Sequence, residues 1–305
     1  MLPFPRSETD KKKIISLSEK RFDMAKKEII SFFDTENEKV YSFRKLSALF
    51  FQKKKNWKFP ADMRVKDFTA FLEKTKLKPY RFDFSYAPVT LYSWGDVSVF
   101  DLTSHIKKDS YFTHYSAVFL HELTEQIPKT VYLNFEQPEK HFSTAGLTQE
   151  NIDKAFSKPQ RISQNIATAG DYRVCLLNGK YTDRLGVTEM TSGEGRKLYV
   201  TNTERTLIDI TVRPAYAGGP FEVLKAFRNA KEIISINRLL ALLKKMNFIY
   251  PYHQAIGFYL EKAGYRADRL KLMERFEKKY RFYLVHNMKE TDFSEKWQIF
   301  YPKGL

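Results

Sequence analysis

The sequence predicts an α+β protein of two domains, and three observations lead to this prediction. Three segments with apolar residues at helical spacing lie within residues 17–75. A segment with period-two alternation follows at residues 77–84, and strand-like and helix-like segments are mixed after that. A length of 305 residues is sufficient for two domains. We therefore expect a helix-rich first domain and a second α+β domain with a small antiparallel or mixed sheet flanked by helices.

Composition and charge narrow the class of protein. Hydrophobic residues make up 43% of the chain and aromatic residues 15%, which indicates a folded protein. Cys175 is the only cysteine, which excludes an intramolecular disulfide and a multi-cysteine zinc site. The formal charge of +16 favours a polyanionic partner, and the first 80 residues hold 20 Lys and Arg against 11 Asp and Glu. The positive charge is therefore concentrated in the N-terminal part of the chain.

Targeting signals for membranes are not found in the sequence. No segment approaches the run of about 18 apolar residues that a transmembrane helix needs, and the N-terminus lacks the apolar region of a signal peptide. We therefore expect a cytoplasmic protein without a membrane partner.

The first domain is expected to follow a short arm. Residues 1–16, which carry two prolines and three consecutive lysines, are predicted to form a flexible basic arm. Apolar spacing predicts a first helix over residues 17–33. Ser42 can cap a second helix that reaches Gln52, and a third helix is predicted over residues 64–75.

A hairpin completes this domain. Residues 77–84 and 89–92 read as two strands joined by a turn at 85–88. Three helices followed by a hairpin is the order of a winged helix-turn-helix, here over residues 17–95. In such a domain the third helix enters the major groove of DNA.

The candidate DNA-binding residues follow from helix geometry. A rotation of about 100° per residue places Lys66, Ala70 and Lys74 opposite the core and Thr69 on a flank. These four are expected to address base edges or phosphates. Contacts with the DNA backbone are expected from Arg64, Lys53, Lys54, Lys55, Lys78 and Arg81.

Two other interpretations of this region stay open. Lysines on a helix commonly form a solvated surface. Tyr80, Phe82 and Phe84 share one strand face, where they could stack on RNA bases, although the packing face of a wing explains them more simply.

The second domain is predicted to span residues 96–305. Expected helices cover residues 97–106, 113–126, 149–156, 204–213, 220–230, 236–246, 252–264 and 269–279. Expected strands cover residues 131–135, 172–178, 187–190, 197–201, 282–286 and 297–301. Asn178-Gly179 reads as a hairpin turn, and Gly257 inside a helix suggests a close helix crossing.

Motifs for metal or phosphate binding are incomplete. His114 and His121 lie seven residues apart, about 10 Å along a helix, which is too far for one zinc ion. The HELTE segment lacks the second histidine of HExxH, and the glycines at 193 and 195 do not continue into a phosphate-binding loop. We expect no metal and no cofactor.

Three segments resemble the AbiEi family, the antitoxins of abortive-infection type IV toxin–antitoxin systems. The first contains Ser116, Ala117 and His121 in SYFTHYSAVFLHELTEQIP, and the third contains Gly257 in YHQAIGFYLEKAG. The second, around TERTLIDITVRP, carries Glu204, Arg205, Thr206, Asp209, Arg213, Pro214, Gly218 and Gly219. Thr203 stands where the family commonly has proline, and Ile256 stands for its usual leucine. We expect these residues to be structural, with Glu204 at a helix start and Arg205 paired with Asp209 four residues on.

The resemblance implies a function. Such a protein would repress its own operon by binding double-stranded operator DNA and would counteract a nucleotidyltransferase toxin. Neither the Gly-Ser loop nor the Asp-x-Asp ligands of those toxins occur in this chain, so we expect that it is not an enzyme. The alternative is an enzyme or an RNA-binding factor whose basic N-terminal domain only localises it to nucleic acid.

Overall fold

The fold was examined in a computed structural model, which describes residues 8–139 and 146–305, with side chains from Lys20 onward. The α+β class is confirmed, since helices and three separate sheets are mixed along the chain. The chain divides into two compact units. The first unit ends at Ile106 and also includes residues 168–171 and 192–196, whereas the predicted boundary was at residue 95.

The first unit contains the predicted order of three helices and a hairpin. Its elements are α1 (Glu8–Thr35), β1 (Val40–Ser42), α2 (Phe43–Lys53), α3 (Val65–Glu73), β2 (Leu77–Asp83), β3 (Pro88–Trp94) and α4 (Val99–Thr103). Strand β3 pairs antiparallel with both β1 and β2, which gives the order β1-β3-β2. Ser42 caps α2 as predicted, because its hydroxyl accepts from the Lys45 amide.

Helix α1 is longer than predicted. It begins at Glu8, so the predicted arm is wrong over residues 8–16, and residues 1–7 lie outside the described residues. Residues 8–16 contain no proline or glycine, so nothing in that stretch stops a helix from extending towards the N-terminus.

An aromatic core fixes the orientation of α3. Phe68 and Leu72 on this helix are fully buried. The Phe68 ring lies 5.3 Å from that of Phe50 on α2 and 5.4 Å from that of Trp57. Because these contacts hold one side of α3 inward, the opposite side of the helix faces solvent.

The second unit alternates strands and helices before a helical section. Its first elements are β4 (Tyr111–Phe112), α5 (His114–Leu120), β5 (Val131–Glu136), α6 (Gln149–Phe156), β6 (Ile166–Ala169, of which residues 168–169 are counted with the first unit), β7 (Tyr172–Gly179), β8 (Val187–Thr191) and β9 (Lys197–Thr201). The later elements are α7 (Thr203–Val212), a 3-10 helix (Pro214–Ala217), α8 (Pro220–Asn229), α9 (Ile236–Met246), α10 (Tyr252–Lys262), α11 (Ala267–Glu274), β10 (Phe282–Tyr283), β11 (Thr291–Ser294) and β12 (Ile299–Pro302).

The larger sheet is mixed and has the order β6-β7-β5-β4-β9-β8. Strands β5 and β7 are parallel, as are β4 and β9, while β4 with β5 and β8 with β9 are antiparallel. The predicted hairpin turn at Asn178-Gly179 is wrong, because both residues pair with β5 inside β7. A Cβ at Gly179 would collide with the Asn134 side chain, so glycine permits close packing at this position.

Three predicted helices differ clearly at their ends. Helix α4 covers Val99–Thr103 rather than residues 97–106. Helix α5 stops at Leu120 rather than near Gln126, since Glu122 has a φ of 58° and leaves the helical region. Helix α11 covers Ala267–Glu274 rather than residues 269–279. Strands β1, β4, β6 and β11 were not predicted.

Helix α7 forms the centre of the second unit. All its residues from Glu204 to Thr211 are buried. At Gly257 the close contact is with the ring of Trp297 rather than with a crossing helix as predicted, because a Cβ there would overlap three ring carbons. No helix in the described part of the chain is both long and apolar enough to cross a membrane.

Candidate nucleic-acid interface and a polar cavity in the second unit

Helix α3 presents the predicted basic face to solvent. Lys66, Ala70 and Lys74 are all exposed. They are spaced by one helical turn each, so they form one row along the helix. The row combines two lysines with a small residue between them. This arrangement permits close approach to a polyanion.

Thr69 is wrongly assigned to this face. It is 5% exposed, and its hydroxyl donates to the Val65 carbonyl at 3.0 Å. Because Thr69 directly follows the buried Phe68 on a short helix, its flank position turns inward. A side chain in that position contributes to packing and has no access to base edges.

The six predicted backbone contacts have different surroundings. Lys55 is exposed, and the Lys53 ammonium lies 4.9 Å from the centre of the Phe32 ring. Lys54 donates to the carbonyls of Ala61 at 2.7 Å and Met63 at 3.2 Å, so it holds the connection between α2 and α3 instead of reaching outward.

The other three cations have carboxylate partners. Arg64 makes a bidentate contact with Asp67 at 2.9 and 3.0 Å. Lys78 lies 2.5 Å from Asp96, and Arg81 lies 2.7 Å from Asp83. Exposed ion pairs of this kind contribute about 0–1 kcal/mol to stability. A phosphate can therefore replace the carboxylate with little loss of free energy.

The aromatic side chains of the hairpin do not form a base-stacking surface. Phe82 is fully buried and Phe84 is 5% exposed, while Tyr80 is half-buried. Buried rings cannot stack on nucleotides. The packing interpretation of this strand face is therefore the better one.

The residues that carry the family resemblance in the first segment are structural. Ser116 accepts from the Tyr132 amide at 2.8 Å, and Ala117 is fully buried. His121 ends α5, and its Nε2 lies 2.6 Å from the Thr201 carbonyl. Burial lowers the pKa of His121. These contacts join α5 to strands β5 and β9.

The start of α7 is held by three side chains. Asn202 caps the helix by accepting from the Arg205 amide at 2.8 Å. Thr206 donates to the Thr201 carbonyl at 3.0 Å. The buried Glu204 accepts from the Ser235 amide at 3.0 Å, at the start of α9, so it joins two helix starts.

The end of α7 leads into a glycine turn. Arg213 is exposed and donates to the Arg161 carbonyl at 3.0 Å, and Pro214 starts the 3-10 helix. Gly218 and Gly219 have φ values of 80° and 98°, which side chains other than glycine rarely adopt. These two glycines therefore allow the chain to turn between the 3-10 helix and α8.

Arg205 and Asp209 belong to a buried polar network. Arg205 Nε donates to Asp209 Oδ1 at 2.8 Å, and the Thr113 hydroxyl donates to Asp209 Oδ2 at 2.9 Å. Arg205 Nη1 also donates to the Leu185 carbonyl at 2.6 Å. His114 Nδ1 lies 3.1 Å from the same Thr113 hydroxyl. The predicted ion pair is confirmed, and it has two partners that were not predicted.

This network lines a cavity of about 670 Å³ within the second unit. Its buried lining residues are Thr113, His114, Asn134, Leu177, Arg205, Asp209, Tyr216 and Met246. Its exposed lining residues include Arg161, Lys180, Tyr181 and Arg213. No sequence pattern indicated this cavity, because Thr113 and Asp209 are 96 residues apart and meet only through the fold.

Comparison with known proteins identifies the fold. No protein-family model and no curated protein matches the chain. A solved structure, the RV2827C protein from Mycobacterium tuberculosis, is similar with a TM-score of 0.57 and 13% sequence identity. The similarity covers 90% of this chain and 89% of that chain. At this identity the likeness concerns the arrangement of the chain.

Proposed function

We propose that the first unit binds double-stranded DNA as a winged helix-turn-helix, with α3 in the major groove. The observation that carries the proposal is the exposed row of Lys66, Ala70 and Lys74 on a helix whose other side is fixed by Phe68 and Leu72. The excess of positive charge at the front of the chain supports it.

The topology of the first unit also supports this proposal. Helix α3 is followed directly by the β2–β3 hairpin, and β1 between α1 and α2 closes the sheet on β3. A hairpin beside the recognition helix can contact the DNA backbone, where Lys78 and Arg81 supply the charges. Lys55 supplies a further charge before α3.

We further propose that the chain is a cytoplasmic antitoxin that represses its own operon and counteracts a nucleotidyltransferase toxin. This part rests on the three segments that resemble the AbiEi family. Binding of the operator would link antitoxin level to transcription. The chain would act on the toxin by contact, by modification or at the toxin's target.

A mobility-shift assay with Ala70→Leu tests the DNA-binding part. The probe is DNA from upstream of the protein's own coding sequence, with unrelated DNA of the same length as competitor. A larger side chain at position 70 would hold α3 away from the groove without changing its charge, so we expect loss of the specific complex. Ala241→Leu, at an exposed position of α9, is the matched control and should bind normally.

Two results would contradict the proposal. Ala70→Leu that retains full specific binding would show that α3 is not in the groove. Tighter binding to single-stranded RNA than to duplex DNA would favour the RNA-binding alternative instead. For the antitoxin part, co-expression with a neighbouring nucleotidyltransferase gene should relieve growth arrest, and failure of that relief would contradict it.

A further inference from the structure

The cavity in the second unit has the dimensions of a ligand site. Its volume of about 670 Å³ lies within the range of about 300–1,000 Å³ that small-molecule sites occupy. Five of its buried lining residues carry polar side chains that are at most 8% exposed: Thr113, His114, Asn134, Arg205 and Asp209. Burial of so many polar groups is costly unless each one has a partner.

The hydrogen bonds of this network define the tautomer of His114. The Asp209 carboxylate can only accept, so the single proton of the Thr113 hydroxyl is donated to Asp209. The contact between Thr113 Oγ1 and His114 Nδ1 then requires a proton on Nδ1. Burial lowers the pKa of His114 to about 4, so the ring is neutral near pH 7. Nε2 is therefore a hydrogen-bond acceptor.

This acceptor has no partner among the described residues. His114 Nε2 is buried and makes no hydrogen bond, whereas Thr113 Oγ1, Arg205 Nε and both carboxylate oxygens of Asp209 do. His114 also has a φ of 50°, an uncommon conformation for a non-glycine residue. His114 is one of the residues that line the cavity, and its unpartnered acceptor is suited to a ligand that supplies an O–H or N–H donor.

The exposed part of the lining is cationic. Four cationic side chains, Arg161, Lys180, Arg205 and Arg213, line the cavity with two carboxylates, Glu139 and Asp209.

The cations differ in what already engages them. Asp209 pairs with Arg205, and the Lys180 ammonium donates to the carbonyls of Met246 and Asn247 at 2.8 and 3.0 Å. Arg161 and Arg213 are both exposed, and Arg213 Nη1 donates to the Arg161 carbonyl at 3.0 Å, which places the Arg213 guanidinium beside the Arg161 backbone. Guanidinium groups are the preferred partners of phosphate, and both arginines line the same cavity.

We propose that this cavity binds a phosphorylated sugar, either free or as part of a nucleotide. Arg161 and Arg213 hold the phosphate, and a hydroxyl of the ligand donates to His114 Nε2. Tyr181, which is 40% exposed and lines the cavity, covers the ligand. The site is independent of the DNA-binding row on α3 and needs no change in the proposed function.

Isothermal titration calorimetry at constant ionic strength tests this proposal with four probes. These are adenosine 5′-monophosphate, ribose 5-phosphate, adenosine and inorganic phosphate. We expect at least one of the two phosphorylated sugars to bind more tightly than both adenosine and inorganic phosphate. If ribose 5-phosphate binds as tightly as adenosine 5′-monophosphate, the ligand is a free sugar phosphate. If the nucleotide binds more tightly, the cavity also binds the base.

Variants connect the binding to the named residues. Arg161→Gln with Arg213→Gln should weaken binding at least about tenfold, as expected for loss of charge-assisted hydrogen bonds. Arg228→Gln with Arg275→Gln makes the same charge change at exposed positions that do not line the cavity, and should bind normally. His114→Asn should weaken binding by a smaller factor, because asparagine tolerates the positive φ but does not reproduce the acceptor geometry.

The proposal is overturned if neither phosphorylated sugar binds, or if adenosine alone binds as tightly as its phosphate. It is also overturned if the two arginine substitutions leave the affinity unchanged. Because both arginines are exposed, loss of folding is not expected in that variant, and circular dichroism checks this directly. The probe comparison uses the unaltered protein and does not depend on any variant.

Discussion

Arg205 and Asp209 form an ion pair within one turn of α7, with Nε and Oδ1 2.8 Å apart and both side chains less than a tenth exposed. Thr113 adds a hydrogen bond to the same carboxylate from 96 residues away. The pair therefore joins the central helix to the residue that precedes α5. Its integrity is important for the second unit as a whole.

Asp209→Ala should lower the free energy of unfolding by about 3–5 kcal/mol, because it leaves the Arg205 charge buried without a partner. Urea unfolding followed by circular dichroism measures the change. Asp268→Ala is the control, since Asp268 forms a pair with Arg266 in which both side chains are mostly exposed. The Asp268→Ala substitution should lower the free energy of unfolding by less than about 1 kcal/mol. Equal effects of the two substitutions would contradict the role of the buried pair.

His114 should make stability depend on pH. Burial lowers its pKa from 6.5 to about 4, so between these values the unfolded state binds a proton that the folded state does not. The free energy of unfolding therefore falls as the pH drops through this window, by at most about 3 kcal/mol. His114→Asn should flatten the dependence, measured by urea unfolding at several pH values. If the free energy of unfolding depended on pH in the same way for the unaltered protein and for His114→Asn, His114 would not be a source of this dependence.

Burial also lowers the pKa values of His121, His253 and His286. Their contributions have the same sign, so some loss of stability at low pH should remain in the His114→Asn variant. The difference between the two curves, rather than either curve alone, measures the contribution of His114.

Gly257→Ala should be strongly destabilising although it adds one methyl group. The added Cβ would overlap the ring of Trp297, which is buried. The Nε1 of this ring donates a hydrogen bond to Glu261 Oε2 at 2.6 Å, so the ring is held in place. Overpacking of this kind costs about 1–3 kcal/mol. Gly193→Ala serves as the control, because a Cβ there meets nothing within 4 Å. Thermal unfolding that gives the same midpoint for both variants would show that the helix shifts freely at Gly257.

Glu204 and Arg238 should differ in importance although they face each other at 3.6 Å. Glu204→Ala leaves the Ser235 amide without its acceptor in a partly buried position, which should lower the free energy of unfolding by about 1–3 kcal/mol. Arg238 is 64% exposed, so Arg238→Ala should cost less than about 1 kcal/mol. Chemical unfolding of both variants provides the comparison. A larger loss for Arg238→Ala would mean that the ion pair, rather than the helix-start contact, matters.

The sequence predicted the local elements well where the patterns were strong. The helix bounds Gln149–Phe156 and Ile236–Met246 and the strand Lys197–Thr201 agree with the structure, because apolar spacing and flanking polar residues mark both ends. Short strands such as β4, with two residues, and β11 have too few residues for a periodic signal. Asn178-Gly179 carried a true turn signal, but pairing with β5 overrode it.

The candidate DNA-binding face and the polar cavity were predicted only in part, because some of their residues take positions that depend on tertiary packing. Exposure of Lys66, Ala70 and Lys74 follows from the helical period, whereas the flanking Thr69 depends on how close α3 packs to its neighbours. Lys54 looked like a free cation in a basic run, but the connection to α3 brings two carbonyl groups to it. The Thr113–Asp209 contact depends entirely on tertiary structure.

The salt dependence of DNA binding tests the central claim most directly. Affinity for the upstream DNA is measured at several salt concentrations, for the unaltered protein and for Lys66→Ala with Lys74→Ala. If both lysines contact phosphates, the slope of log K against log salt should decrease by about 2, or about 1 for each lost contact. Lys244→Ala with Lys245→Ala, which removes the same charge from exposed positions on α9, should leave the slope unchanged. An unchanged slope and unchanged specific affinity in the Lys66 and Lys74 variant would contradict the assignment of α3 as the DNA-binding helix.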